Sequence, residues 1–494
     1  MATTANTRLN GKLVHALVLS FPTQGHITPL TQLSRRLVRT KGFVVTFAMT
    51  EHIAARSPRS PAGSSTIPGT DARPFPATEA ELEEDALNAR IHIVSVPDGL
   101  PPPYPRDHGF AEQEQAMYGM RRPIELLLRS LQSDPAMAVD CIISDIFVTW
   151  SFEMASTFEL PLVAFYTANA TSCSVLYHAR MLVSKGIIPF KDGDDTRINC
   201  IPGAPSLRPS EVPPSMQSHD ITSPRFRFTL RMFENIHESV GLLLNTVYEM
   251  EAAVIDALRE KLPVFTVGPL FLPTKEEEPL PTHSDLTFWE EDECGAWLDG
   301  QAEASVLYVS FGSIATYNEQ QFRELAAGLE ESEQPFLWVV RKDALDAKTL
   351  GKALPEGYME RVKGRGLIVS WAPQLRVLAH PSVGGFLTHC GWNSILESIS
   401  IGGVPMLCWP DIADQMVNRR LLVDEWKIGL EFAQGDCGTV GRDEVARVVR
   451  RLLLSDGGKE CRRRAAEWKK CLRKVVQEGG SSSIGLEHFL QSIA

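Results

Sequence analysis

No run of apolar residues in this chain approaches the roughly 18 needed to cross a bilayer, so no integral membrane span is expected. Positive charge is in deficit. Lys and Arg number 49 against 61 Asp and Glu, a formal net charge of −12, which argues against a nucleic-acid partner and confines any nucleotide to a local pocket. Cysteine pairing signals are also missing. The nine cysteines show no C-x-x-C spacing and are odd in number, which excludes a zinc site of that form and points to free thiols in a reducing compartment. Residues 1–11 are polar and lack the apolar core of a secretory leader, so a cytoplasmic location is the expectation. No G-x-G-x-x-G follows either leading apolar strand, which counts against a dehydrogenase-type dinucleotide site.

What remains is an ordinary globular composition, 44% hydrophobic and 22% charged over 494 residues. At roughly 100–200 residues per domain that length suggests two or three domains. The most informative stretch runs from Trp371 to Gln415. An apolar run, Val383 to Leu387, leads to Thr388, His389, Cys390 and Gly391. Trp392, Asn393 and Ser394 then open a helix-spaced pattern through Leu396 and Ile399, stopped by Gly402 and Gly403 before a second buried strand, Val404 to Trp409. Strand, polar turn, helix, strand is half of a doubly wound α/β domain.

A helix starting at Asn393 or Ser394 presents unpaired N–H groups and a positive dipole end just past the strand. The side chains of His389, Asn393 and Ser394 add donors there, and a phosphate or diphosphate is the natural occupant. Glu397, one turn further on, is placed to accept two hydroxyl hydrogens of a ribose diol. Trp371 offers a flat ring to a base. Asp414 and Gln415 offer a carboxylate and an amide to sugar hydroxyls. Base, ribose, diphosphate and sugar in that order describe a nucleotide sugar. Cys390, within the same stretch, reads as a packed thiol rather than a nucleophile.

This stretch resembles the signature box of the plant family 1 UDP-glycosyltransferases, enzymes of plant secondary metabolism. The matching residues are Trp371, Pro373, Gln374, His380, Pro381, Gly384 to Phe386, His389 to Ser394, Glu397, Pro405, Trp409, Pro410 and Gln415. One departure is an extra residue between Glu397 and Pro405, where Gly402-Gly403 stands for a single glycine. It is expected in the helix-to-strand turn and bears on the register of Asp414 and Gln415 against the sugar. In the box, the resemblance implies donor binding by Trp371, Ala372, Gln374, His389, Gly391, Trp392, Asn393, Ser394, Glu397, Asp414 and Gln415. Glutamine at the Gln415 place goes with UDP-glucose in the family, histidine with galactose. Tryptophan rather than arginine at Trp392 argues against a glucuronate donor, which wants a cation.

Residues 13–22 read as a buried strand and Thr23 to His26 as a turn, with a helix from Ile27 that tolerates Pro29 in its first turn. His26 thus sits at a strand-to-helix corner, where open α/β sheets bind ligands. Taken alone, a histidine there is more often a surface or capping residue. Pro22 to Pro29 matches the family's PxxQGHxxP pattern, and the resemblance makes His26 catalytic and Gly25 a donor contact. Asp145, near the end of the buried strand Asp140 to Phe147, either caps the next helix or orients His26; the resemblance implies the second. Thr167, after the strand Leu162 to Tyr166, either caps a helix or, as the resemblance implies, reaches the donor. Gly109 to Leu131 has helical spacing. Ile201 to Gln217, Leu242 to Glu251, Val264 to Leu270 and Glu478 to Phe489 resemble further family segments, the second and third as strands. Ser313, closing the strand Ser305 to Phe311, should meet the diphosphate from its other side.

Several features keep plain readings. Arg56 to Asp85 is a long polar loop, without function or rimming the acceptor pocket. Asp192-Gly193-Asp194 has the Asp-x-Asp form of metal-dependent glycosyltransferases but reads as a turn. Lys459 to Lys474 reads as a solvated helix face, with a membrane-surface or anionic-partner patch as the alternative. Asn169-Ala-Thr171 is a glycosylation sequon by pattern only.

The resemblance implies an α/β GT-B fold of two facing Rossmann-like, doubly wound domains with an interdomain cleft. Residues 1–270, joined by a C-terminal helix at 478–494, would bind the acceptor; 271–290 would be a linker; 291–477 would bind the UDP-sugar. The implied activity is inverting, metal-independent O-glucosylation of a small apolar acceptor by UDP-glucose. His26 acts as base with Asp145 behind it, and the helix terminus stabilises the departing UDP. No cofactor beyond that co-substrate is expected, and the protein is expected to be a monomer. A flavonoid or other phenolic is the expected acceptor, and a terpenoid or hormone the alternative. A catalytically silent nucleotide-sugar-binding protein is a third reading, against which the intact His26 and Asp145 count.

Overall fold

The computed structural model describes residues 13–40, 42–55, 89–101, 109–191, 193–275, 293–312, 318–341, 354–433 and 438–493. The chain forms two compact units, one of Met1–Thr167, Arg227–Phe271 and Ser481–Ala494, the other of Ala168–Phe226 and Leu272–Gly480.

The first unit is built on β1 Val14–Leu19, β2 Phe43–Thr50, β3 Ile91–Val96, β4 Cys141–Asp145, β5 Leu162–Tyr166, β6 Gly241–Leu244 and β7 Val264–Thr266. They form one parallel sheet in the order β3-β2-β1-β4-β5-β6-β7. Central β1, β4 and β5 are buried along their whole length, the physical reason for their unbroken apolar runs, since helices cover both faces of a parallel sheet. Leu30, Leu33 and Leu37 of the helix Gln24–Arg39 pack on this sheet with Phe43 and Phe47. The helix Ser481–Ser492 adds Leu486, Phe489 and Leu490 to the same core, and Ser482 Oγ donates to the Gly268 carbonyl at 2.6 Å. The strand order reverses between β1 and β4, and the loops leaving their carboxyl ends define a ligand crevice.

The second unit repeats the plan with β8 Val306–Ser310, β9 Phe336–Val339, β10 Gly366–Val369, β11 Val383–Thr388, β12 Met406–Cys408 and β13 Gly429–Glu431. Their order is β10-β9-β8-β11-β12-β13, all parallel. Here the reversal lies between β8 and β11, so residues after Ser310 and Thr388 flank the second crevice.

Several expectations are corrected. The first helix starts at Gln24, not Ile27, because the Thr23 carbonyl accepts from both His26 N and Ile27 N at 3.0 Å; His26 therefore lies in the first helical turn. The helical stretch at 109–131 is two helices, Phe110–Gly119 and Arg121–Ser133. Of Leu242 to Glu251 only the start is strand, and Tyr248–Arg259 is helix. Residues 168–226 group with the second unit, within which Asn169 Nδ2 donates to Asn418 Oδ1 and Arg419 Nη2 lies 3.5 Å from Glu211 Oε1. The helix Trp392–Glu397 widens into a π turn, Ser398–Gly402, before Gly403 (φ 66°) ends it, and a π turn is how a helix absorbs one additional residue. Ser313, Asp192, most of 271–290 and the loop at 56–85 lie outside the described residues.

Candidate active site

In the first unit, His26 Nδ1 donates to Asp145 Oδ2 at 2.6 Å. Asp145 is fully buried while the His26 side chain keeps 18% exposure. A buried carboxylate needs donors, and three converge here: the imidazole, Phe21 N on Oδ2 at 3.4 Å and Phe147 N on Oδ1 at 3.0 Å. Asp145 does not cap the next helix, Ser151–Thr157, whose N-cap is Trp150. Since a carboxylate only accepts, the proton sits on Nδ1 and the lone pair on Nε2, so the ring is set as a base. Aromatic rings wall it. Phe147 meets the imidazole edge-on at 4.6 Å and Phe21 lies 5.3 Å away; Phe228 follows at 5.8 Å from Phe147, and Phe110 at 4.9 Å from Phe228. An apolar molecule with one hydroxyl suits such a surface.

Gly25, beside His26, is exposed, and a Cβ there would meet nothing within 4 Å. Thr167 is buried at the end of β5. It is not a helix cap, because Asn169 takes that place, its Oδ1 accepting from Ser172 N at 2.7 Å. Asn169 itself is 0% exposed, which closes the sequon to modification.

In the second unit, Cys390 adopts φ 65° and its N–H donates to Thr388 Oγ1 at 3.2 Å, turning the chain sharply from β11 into the helix Trp392–Glu397. Cys390 is fully buried, as a packed thiol should be. Gly391 is the N-cap and supplies no side chain to the first helical turn. The His389 ring is held between two glycines: a Cβ at Gly312 would lie 2.6 Å from its Cε1, and one at Gly391 2.3 Å from its Nε2. Burial, and secondarily the charge of Arg341, push the imidazole down to about 4, so it is neutral near pH 7. Its Nδ1 is buried without a hydrogen-bond partner among the described residues, a deficit that a ligand oxygen would fill.

The same unit holds an ordered amide. Tyr308 OH donates to Gln374 Oε1 at 3.2 Å, which turns Gln374 Nε2 toward Glu397 Oε2 at 2.6 Å and Ser394 Oγ at 3.1 Å. Burial pushes the Glu397 carboxyl up to about 7, partly offset by the Gln374 bond. Trp371 and Asn393 are half-buried, Ala372 is buried, and Trp392 is buried against Trp426 with ring centroids 6.1 Å apart. After β12, Asp414 Oδ2 accepts from Asn418 Nδ2 at 2.6 Å. Gln415 Oε1 accepts from Asp411 N and Ile412 N at 2.8 and 2.9 Å. Its carbonyl is thus committed to the backbone, and a sugar hydroxyl would meet the N–H side of that amide. Among the described residues no group of three or more His, Cys, Asp or Glu is placed to hold a metal ion.

Three residues went unnoticed in the sequence. Arg341 Nη1 holds the Gly312 carbonyl at 2.9 Å, Tyr308 orients Gln374, and Asn418 holds Asp414. Only the last left a signal, the i,i+4 spacing of Asp414 and Asn418 on a helix.

Residues 289–453 match the model of the family described as "UDP-glucoronosyl and UDP-glucosyl transferase". Linamarin synthase 1 of Manihot esculenta is 35% identical, over 97% of this chain and 96% of that protein. The (R)-mandelonitrile beta-glucosyltransferase of Prunus dulcis is 34% identical, over 97% of each. Among solved structures, a UDP-glycosyltransferase of Phytolacca americana complexed with UDP-2fluoro-glucose and pterostilbene superposes with a TM-score of 0.77 at 28% identity, over 97% of this chain and 99% of that one.

Proposed function

The chain belongs to the plant family 1 UDP-glycosyltransferases, with the two Rossmann-like units of the GT-B fold, and on that premise we propose that it transfers glucose from UDP-glucose to a hydroxyl of a small apolar acceptor, inverting the anomeric centre without a metal. The observation that carries this reading is the 2.6 Å bond from His26 to a fully buried Asp145. It leaves Nε2 as a base and gives the imidazolium a fixed counter-charge. The acceptor hydroxyl gives its proton to Nε2 while its oxygen attacks the anomeric carbon. The bond from that carbon to the diphosphate oxygen breaks, and UDP leaves with the electron pair. Positioned donors meet that charge: the first-turn N–H groups after Gly391, and His389, neutral and short of a partner. Glu397 takes the ribose hydroxyls, Trp371 the base, and Asp414 and Gln415 the hexose.

The acceptor we propose is a flavonoid or simpler phenolic, supported by the aromatic wall of Phe21, Phe147, Phe228 and Phe110. Mandelonitrile and pterostilbene, named for two relatives, are an alcohol and a phenol, and both carry aromatic rings. All eight described cysteines are free, which supports a reducing compartment, the cytoplasm. His26→Ala tests the chemistry with UDP-glucose and a panel of phenolic, terpenoid and cyanohydrin acceptors. On the acceptor the wild type uses best, kcat should fall at least about a hundredfold with UDP-glucose affinity unchanged; near wild-type O-glucoside formation would overturn the reading.

A further inference from the structure

We infer that Asn418 is a positioning residue for the donor sugar, its buried amide holding the Asp414 carboxylate and the turn at Cys390 in one fixed relation. The inference rests on the proposed role of Asp414 as an acceptor for hexose hydroxyls.

Asn418 is 0% exposed, and a buried amide is costly unless its bonds are made. Its two N–H hydrogens go to Asp414 Oδ2 at 2.6 Å and to the Cys390 carbonyl at 2.8 Å. Its Oδ1 accepts from Asn169 Nδ2. Asn169 cannot rotate to offer anything else, because its own Oδ1 accepts from Ser172 N at 2.7 Å. The chain Ser172 N–H, Asn169, Asn418, Asp414 is therefore directional. Turning the Asn418 amide over would set oxygen against two acceptors and N–H₂ against N–H₂. Cys390 stands at the entry to the helix Trp392–Glu397, and Asp414 at the entry to the helix Gln415–Arg420. One side chain thus spans the diphosphate end and the hexose end of the donor site. Packing alone would be served by leucine; the polarity of the site is spent on orientation.

Asn418→Asp keeps shape and volume but sets a second carboxylate against Asp414, and two such groups cannot both stay ionised. The Michaelis constant for UDP-glucose should rise about tenfold or more at pH 8, while the Kd of UDP, which has no hexose, stays within about threefold. Compared with wild type at each pH, the defect should shrink toward pH 5.5, where a shared proton restores a donor between the pair. A merely structural role would weaken UDP and UDP-glucose alike. That result, or a UDP-glucose constant within about twofold of wild type, would overturn the inference. If the aspartate variant does not fold, Asn418→Ser, which retains one donor, should show the same split at about threefold, and equal weakening of both ligands again overturns it. Asp414→Asn separates the two claims. A constant unmoved by that change removes the hexose role of Asp414 and this inference with it. A constant raised there but unmoved by Asn418→Asp removes this inference alone.

Discussion

Glu397 gives the family reading a pH signature. Burial holds its carboxyl at about 7, yet the ribose contact proposed for it needs the ionised form as acceptor. Donor binding must then release a proton, and affinity must rise with pH through that value and level off above it. With a pKa of about 7, roughly one tenth of the free protein is ionised at pH 6 and about nine tenths at pH 8. If only the carboxylate holds ribose, UDP-glucose affinity rises about tenfold over that interval, or about 1.4 kcal/mol. UDP-glucose is the right probe because its diphosphate is a diester with no proton to lose in this range, and His389, held at about 4, stays neutral throughout. Calorimetric titration without acceptor, in two buffers of different ionisation enthalpy, would give affinity and proton count together. Release should be close to about 0.9 proton at pH 6 and about 0.1 at pH 8. Glu397→Gln should bind more weakly at pH 8 and lose the slope. A flat wild-type affinity from pH 6 to 8, or a tenfold rise that survives in the glutamine variant, would refute the reasoning.

Gly312→Ala should weaken UDP-glucose binding about tenfold or more by equilibrium titration, because φ is 68° and the new Cβ would lie 2.6 Å from His389 Cε1; an unchanged Kd would show that the ring position does not matter. Asp145→Asn should cut kcat by about 10²–10⁴ while the UDP-glucose constant holds, since an amide lets His26 carry its proton on the wrong nitrogen. Steady-state kinetics decide it, and a loss confined to donor binding would contradict the assignment.

The stretch from β11 through the following helix was legible because its structure is local: strand, polar turn and helix start follow within a few residues of each other. The two parallel sheets were legible for the same reason, through buried apolar runs bounded by polar turns. Helix starts were less so. Gln24 begins its helix because a backbone carbonyl at Thr23 can take two N–H groups, which no side-chain pattern announces. The insertion at Gly402-Gly403 was visible as a length difference, but whether a helix widens or a loop lengthens depends on packing. A Cβ at Gly402 would lie 2.2 Å from the Leu378 carbonyl, so only a glycine lets the widened turn sit there. What stayed illegible was pairing at a distance. Asn169 and Asn418 are 249 positions apart, and a buried asparagine that orients another group looks, in sequence, like any polar residue on a helix.

The chain leaves the first unit after Thr167, re-enters it at Arg227 and is back again from Ser481. A hybrid spliced from two relatives at one junction after Phe271 would therefore carry a second unit of mixed parentage. Asn169 and Glu211 from one parent would face Asn418 and Arg419 from the other. Transplanting the second unit intact calls for moving 168–226 and 272–480 together, as one cassette in two pieces.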